Sequence, residues 1–146
     1  MYCTDNETGS DKIQLTPKTA LFLAALSVVA ADGVIENAEI ADLDKIVRGD
    51  KTNFALAHTT FKCNSYEECV DLVARSLDEK QKVALIAILL DLVMADGTLP
   101  DAEEKLISLY VSKFGIPVGV FKDVCHYIAM KNNLSIFDKK DSECVS

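Results

Sequence analysis

Four carboxylates stand out by type and spacing: Asp32, Glu39, Asp96 and Glu103. They sit in two copies of one acidic stretch, ADGVIENAE at residues 31–39 and ADGTLPDAE at residues 95–103. The copies agree at Ala, Asp, Gly, Ala and Glu. Each reads as the second half of an EF-hand calcium loop, with Gly at position 6, an apolar residue at 8 and a bidentate Glu at 12. Gly33, Ile35 and Glu39 fit, with Asp32 in the fifth place, and Gly97, Leu99 and Glu103 fit, with Asp96 there. The first half is missing from both. Its ligand positions fall on Val28 and Ala30, or on Leu92 and Met94, which carry no side-chain oxygen. One turn therefore offers too few ligands, whereas two turns side by side offer all four carboxylates. Oxygen ligands suit a hard cation. Calcium comes first from the half-loop pattern, then magnesium or manganese with water completing the shell. No organic cofactor is expected.

The same residues also serve as helix punctuation. Glycine just past a helix is a common stop, and acids in a first helical turn favour the helix dipole. For either turn alone, that reading suffices. The duplication of both Asp and Glu goes beyond it, because Ser, Thr or Asn would cap equally well.

Positioning these turns requires helices, and the chain supplies helical signals throughout. Thr16-Pro17 provides an N-cap and a first-turn proline for a helix to about Ala31. Ile40, Leu43, Ile46 and Val47 fit a second helix over Ala38–Arg48, closed by Gly49. Phe54, Leu56 and Phe61 suggest a short third. Ser65 with Glu68 forms a capping box for a fourth, and Asp78 with Gln81 opens a long apolar fifth to Ala95. A sixth carries Leu106, Ile107, Leu109, Tyr110 and Phe114 and ends at Gly115; Pro117 starts a seventh. No stretch alternates like a strand. The expectation is all-α: a bundle of about seven helices in one domain over residues 16–131. Residues 1–15 and 132–146 are polar and expected to be mobile.

The repeat extends past the turns. At a constant offset of 64, Leu21 pairs with Leu85, Leu26 with Leu90, Val28 with Leu92 and Val29 with Val93. Beyond the turn, Leu43 pairs with Ile107, Ile46 with Tyr110 and Val47 with Val111. The repeated unit is a helical hairpin, and two such hairpins related by a pseudo-two-fold axis can share one core. Each first helix also carries a stripe of small residues: Ala20, Ala24, Ser27 and Ala31, then Ala84, Ala87, Asp91 and Ala95. Such stripes mark either a close helix crossing or a less buried side.

Composition narrows the function classes. The chain has 146 residues, 49% hydrophobic and 26% charged, which suits a globular domain. Its net charge of −8 argues against nucleic acid, whose phosphates need clustered Lys and Arg. The charge favours cations or basic partners. The apolar runs Ala20–Ala31 and Val83–Ala95 are shorter than the roughly 20 residues a membrane span needs. The polar start MYCTDNETGSDK has no signal-peptide character. A cytoplasmic location is expected, with the five cysteines as free thiols.

Other chemistry is thin. His58 and His126 are the only histidines. Cys125 and His126 adjoin, but helical neighbours point about 100° apart, so adjacency makes no catalytic pair. Cys63 and Cys69 flank a turn and lack companion zinc ligands. Asp91 lies in the most apolar helix, either facing solvent or buried with a hydrogen-bond partner, and directed away from the second turn. No P-loop, Rossmann or GxSxG motif occurs.

The doubled [SA]-D-G-x-[IVL]-x-x-x-E pattern in a helical chain of this size resembles the TerB-like domain family. That family includes tellurite-resistance TerB proteins and the N-terminal domain of a membrane-anchored DnaJ co-chaperone. VMADGTLPDAEEKLISLYVSKFGIP is the closer copy, and the resemblance covers roughly Thr16–Met130. It implies an all-α bundle of about seven helices, an acidic surface or metal site at the DG turns, and a role in stress or chemical resistance. By residue it reaches Asp32, Gly33, Glu39, Asp96, Gly97 and Glu103. It brings no catalytic mechanism. No DnaJ-type domain or membrane span is attached, so a co-chaperone role would need a partner chain. The high cysteine content and residues 1–15 depart from the pattern. The expected function is non-enzymatic binding of a divalent cation, with unidentified protein partners. The alternative is a metal-free interaction module whose acidic face docks basic partners. An enzyme comes third, since two carboxylates can do acid–base work but no nucleophile accompanies them.

Overall fold

The computed structural model describes residues 15–138 except 32, 34–36 and 95–98, together with the backbone alone at 37–39. Seven α-helices follow in order: α1 Pro17–Val29, α2 Asn37–Val47, α3 Lys51–Cys63, α4 Tyr66–Ser76, α5 Glu79–Val93, α6 Asp101–Phe114 and α7 Val118–Asn132. A 3-10 helix, Leu134–Asp138, comes after α7. The described residues contain no strand, so the all-α expectation holds.

The helix boundaries have local causes. The Thr16 hydroxyl accepts from the amide of Thr19, and Pro17 occupies the first turn of α1. Both expected capping boxes are formed, Ser65 with Glu68 at α4 and Asp78 with Gln81 at α5. Gly115 ends α6 with φ of 73°, a left-handed conformation that costs glycine little. The third helix runs for 13 residues, longer than its few apolar positions suggested, because Asp50 caps its start.

Helix α1 is central. It packs on α3, α4 and α5, and also touches α2 and α6. Its residues Phe22, Leu23, Ala24, Ala25, Val28 and Val29 have no solvent exposure. They meet Leu89 and Leu90 of α5, Val70 and Val73 of α4, and Ile107 and Tyr110 of α6 in one core. Helix α7 lies on α5 and contributes only half-buried side chains, among them Phe121, Val124 and Ile128. Of the segment expected to be a mobile tail, residues 134–138 form the 3-10 helix. No helix is long and apolar enough to cross a membrane among the described residues.

Candidate functional site

Each acidic turn begins at a helix end that the structure describes. Ala30 is the C-cap of α1, and its carbonyl accepts from the Gly33 amide at 3.0 Å. Gly33 sits at φ of 80°, where a side chain would be strained although the surrounding space is open. The same Ala30 carbonyl accepts a second bond, from the Tyr66 hydroxyl at 3.0 Å. Met94 is the C-cap of α5, and the Asn132 amide Nδ2 donates to its carbonyl at 2.9 Å. Ala30 and Met94 are equivalent positions at the offset of 64.

Among the four expected ligands, the side chain of Glu103 is described. It lies in the first turn of α6 and is 1% exposed. Asp32, Asp96 and Gly97 lie outside the described residues, as does the side chain of Glu39, the third residue of α2. A carboxyl group this buried either stays protonated or has its charge met by partners, since burying an uncompensated charge costs several kcal/mol. The helix dipole contributes, as Asp101, Glu103 and Glu104 all stand in the first turn of α6.

Helix α6 crosses α1 in opposite directions. Tyr110 is fully buried and lies 2.7 Å from the Ser27 hydroxyl. Ser27 donates its own proton to the Ala24 carbonyl at 2.8 Å, so the tyrosine is the donor of the shared bond. Burial raises the Tyr110 phenol far above its ordinary range, and the Ser27 contact opposes this only in part. Towards the other end, Ala31 shares a shallow groove with Ala102, Lys105 and Leu106 of α6. Glu103 lies seven residues before Tyr110, two helical turns along nearly the same face. Its neighbour Ala102 and the following Lys105 and Leu106 line the groove that contains Ala31.

Among the described residues, no group of three or more His, Cys, Asp or Glu is placed to hold a metal ion. Asp91 resolves one open alternative. It is half-buried, and its carboxylate meets Lys131 Nζ at 3.0 Å and accepts from Asn132 at 3.2 Å. His58 is exposed and stacks on Phe54; His126 is exposed against Tyr127. Among the described residues, neither meets a nucleophile.

The cysteines depart from the expectation of five free thiols. Cys69 and Cys125 are free, but Cys63 is disulfide-bonded, with its partner outside the described residues. Spacing reveals local pairs only, and this bond joins distant parts of the chain. A reducing cytosol keeps most thiols free, so the bond departs from that compartment's usual chemistry. Burial pushes the Cys69 thiol up to about 11 from an ordinary 9.0, with the Glu68 carboxylate adding to the shift. Burial also raises Cys125, with a smaller contribution from Glu104. These are poor nucleophiles at neutral pH.

Sequence reasoning overlooked Tyr66 and Asn132. Their signal was indirect: the two carbonyls they bind occupy one position of the repeat.

Comparison with known proteins places this architecture. No curated protein gives a significant match. A crystal structure of a protein of unknown function from Porphyromonas gingivalis W83 is similar, with 26% identity and a TM-score of 0.54. The similarity covers 80% of this chain and 91% of that one. The family model described as tellurite resistance protein TerB matches residues 18–125, the span from the start of α1 into α7 with both acidic turns inside it, and the chain belongs to the TerB family.

Proposed function

We propose that this chain is a non-enzymatic TerB-family protein of the stress or tellurite-resistance type that binds a divalent cation between its two acidic turns. Asp32 and Asp96 come from the turns, Glu39 and Glu103 from the helices that follow. Calcium is the first choice, then magnesium or manganese. The observation that carries this reading is Glu103. It belongs to the second repeat and is buried in the first turn of α6, a helix that packs on α1 of the first repeat. The packing of α1 on α6 and of α2 on α5 supports the same pairing. A shared site explains why an incomplete loop is written twice. It also explains why the acids are Asp and Glu rather than neutral caps.

The test is thermal unfolding in chelator, then with excess calcium, magnesium or manganese. The wild type is compared with the Glu39→Gln, Glu103→Gln double variant. At a cation concentration 100 times the dissociation constant, binding stabilises the fold by about 2.7 kcal/mol. The double variant loses that gain. No rise with any cation, or an equal rise in the variant, transfers the acidic face to the docking of basic protein partners without metal. The compartment proposed for this activity is the cytoplasm.

A further inference from the structure

Helix α7 is apolar on two sides. Phe121, Val124, Cys125, Ile128 and Ala129 turn to the core and are half-buried. On the other side, Val120, Tyr127 and Met130 follow one another at intervals of seven and three residues, which places them on one helical face. They are 40%, 63% and 40% exposed. Leu134 and Phe137 of the 3-10 helix are 70% and 78% exposed and prolong the apolar surface. Elsewhere among the described residues, large exposed apolar side chains come singly, as Ile40, Leu56, Tyr66 and Val83 on four different helices. Single ones are ordinary on a protein surface, whereas a contiguous set marks an interaction site.

Charge indicates what fits there. In residues 116–138, Lys122 and Lys131 cancel Asp123 and Asp138, so the whole net charge of −8 lies elsewhere in the chain. A second copy is repelled by the acidic remainder of the surface and meets no such cost at α7. The helix is also complementary to itself. In an antiparallel pair related by a two-fold axis at Tyr127, a residue so many places after Tyr127 lies level with the residue as many places before it in the other copy. Tyr127 then meets Tyr127, and Asp123 lies level with Lys131, twice. Both charges stand one helical turn from Tyr127 on its own face. Lys131 Nζ meets Asp91 at 3.0 Å and Asn132 Oδ1 at 3.1 Å, and an ammonium has three donors, so one remains. Asp123 has no ion-pair partner among the described residues. Residues 139–146, KKDSECVS, bring too little apolar surface to cover the stripe.

We propose that the outer face of α7, with the 3-10 helix, is a self-association surface on which a second copy of this chain docks antiparallel about a two-fold axis at Tyr127. The apolar stripe supplies the affinity, with the two Tyr127 rings at its centre. The paired Asp123 and Lys131 fix the register and contribute little energy, as exposed ion pairs do. None of these residues is a proposed cation ligand, so the surface stands or falls independently of cation binding.

Sedimentation velocity of the full chain from micromolar to millimolar concentration tests this, under conditions where a non-reducing gel shows no intermolecular disulfide. The wild-type mass is expected to rise from one chain to two and to stop there, because a two-fold interface is closed. Tyr127→Glu acts on both copies at once and is expected to weaken the dimer by about tenfold or more, as loss of a central interface tyrosine does. Leu56→Glu, at a leucine of α3 that is 52% exposed, leaves association unchanged. Asp123→Lys and Lys131→Glu each set like charges level with one another and are expected to weaken self-association by about threefold to tenfold. An equimolar mixture of those two variants recovers dimers, since opposite charges then meet at both levels, and a variant that merely misfolds cannot be rescued in this way. A wild type that stays monomeric at every concentration overturns the proposal and leaves the face to a different protein or to residues 1–14 of the chain. A dimer that Tyr127→Glu leaves intact overturns it as well, and a mixture that associates no better than its components overturns the antiparallel register.

Discussion

Helices α1 and α5 are written to one pattern, yet they occupy different surroundings. Ten of the thirteen residues of α1 are buried, against six of the fifteen in α5, so one copy is enclosed and the other lies at the surface. The cause is the chain that joins the repeats. Helices α3 and α4 pack on α1, while α7 packs on α5. The small-residue stripe divides accordingly. Ala20, Ala24 and Ser27 are fully buried, whereas Ala84 is exposed and Ala87 and Asp91 are half-buried. In α5 the stripe marks the less buried side of the helix, whereas in α1 most of it is buried. A duplicated pattern can thus recur in two helices while the connecting elements decide which face of each is core.

The equivalent pair Ser27 and Asp91 offers the strongest way to break this contrast. Ser27→Asp places a carboxylate beside Tyr110 in the interior, without a cation to meet it. An uncompensated buried charge costs about 3–5 kcal/mol, a large share of the stability of a domain this size. The reverse change, Asp91→Ser, removes a half-exposed ion pair worth about 0–1 kcal/mol. Urea unfolding followed by circular dichroism measures both. Equal losses at the two positions would refute the assignment of α1 as the enclosed copy.

A second pair keeps the residue type constant. Ala20 and Ala84 are equivalent alanines, with Ala20 at 0% exposure and Ala84 exposed beside Leu21. Ala20→Leu inserts three carbons into a filled interior and is expected to destabilise by about 1–3 kcal/mol. Ala84→Leu is expected to stay within about 0.5 kcal/mol of wild type, as surface changes usually do. If Ala84→Leu proved as costly as Ala20→Leu, α5 would be as enclosed as α1.

These pairs also show what the sequence could and could not disclose. Helix starts were legible where a side chain makes a local bond: Thr16, Ser65 and Asp78 each cap as their spacing implies. The apolar register was legible too, since Leu26 with Leu90 and Val28 with Leu92 are buried in both copies. Enclosure was not, because Ala20 and Ala84 have the same type and the same pattern. Only the paths of α3, α4 and α7 separate them. The Tyr66 and Asn132 bonds were hidden for a related reason. Each links residues 36 or 38 apart, a separation at which no periodicity exists. Asn132 stood where the polar tail was expected to begin. The Cys63 bond was concealed in the same way. At the candidate site, the acids were legible as types in a pattern, and the burial of Glu103 was not, since a first-turn Glu is ordinarily solvated.

A smaller effect separates the partners of the same equivalent positions. Ile46 of α2 is half-buried, whereas its counterpart Tyr110 of α6 is enclosed and bonds Ser27. Tyr110→Phe keeps the ring and deletes the hydroxyl. The Ser27 oxygen loses a donor but keeps its bond to Ala24 O, so the loss is expected to be about 1 kcal/mol. Unfolding midpoints measure it, and no change would mean that the buried pair contributes nothing net.

The smallest effect on stability is the most direct probe of the two covers. Cys69 lies on α4, the cover of α1, and is fully buried; Cys125 lies on α7, the cover of α5, and is half-buried. Alkylation requires both access and ionisation. Access favours Cys125, because α7 has only to shift, while Cys69 is reached by lifting α4 from the core. Ionisation also disfavours Cys69, whose thiol is pushed up to about 11. Site-resolved mass spectrometry at pH 8 is therefore expected to find Cys125 labelled well before Cys69. Asn132→Ala should speed the labelling of Cys125 and leave Cys69 unaffected. The pH dependence has a definite sign. An unfolded thiol ionises near 9.0 and the folded Cys69 near 11, so the folded state holds the proton more tightly. The stabilisation from the neutral thiol is complete below pH 9 and is lost as the pH rises from 9 towards 11. Cys69→Ala should flatten that part of the stability profile, measured against wild type by urea unfolding at each pH. Simultaneous labelling of the two thiols would show that α4 and α7 open together, and the contrast between the enclosed and the surface copy would then describe static packing without a difference in dynamics.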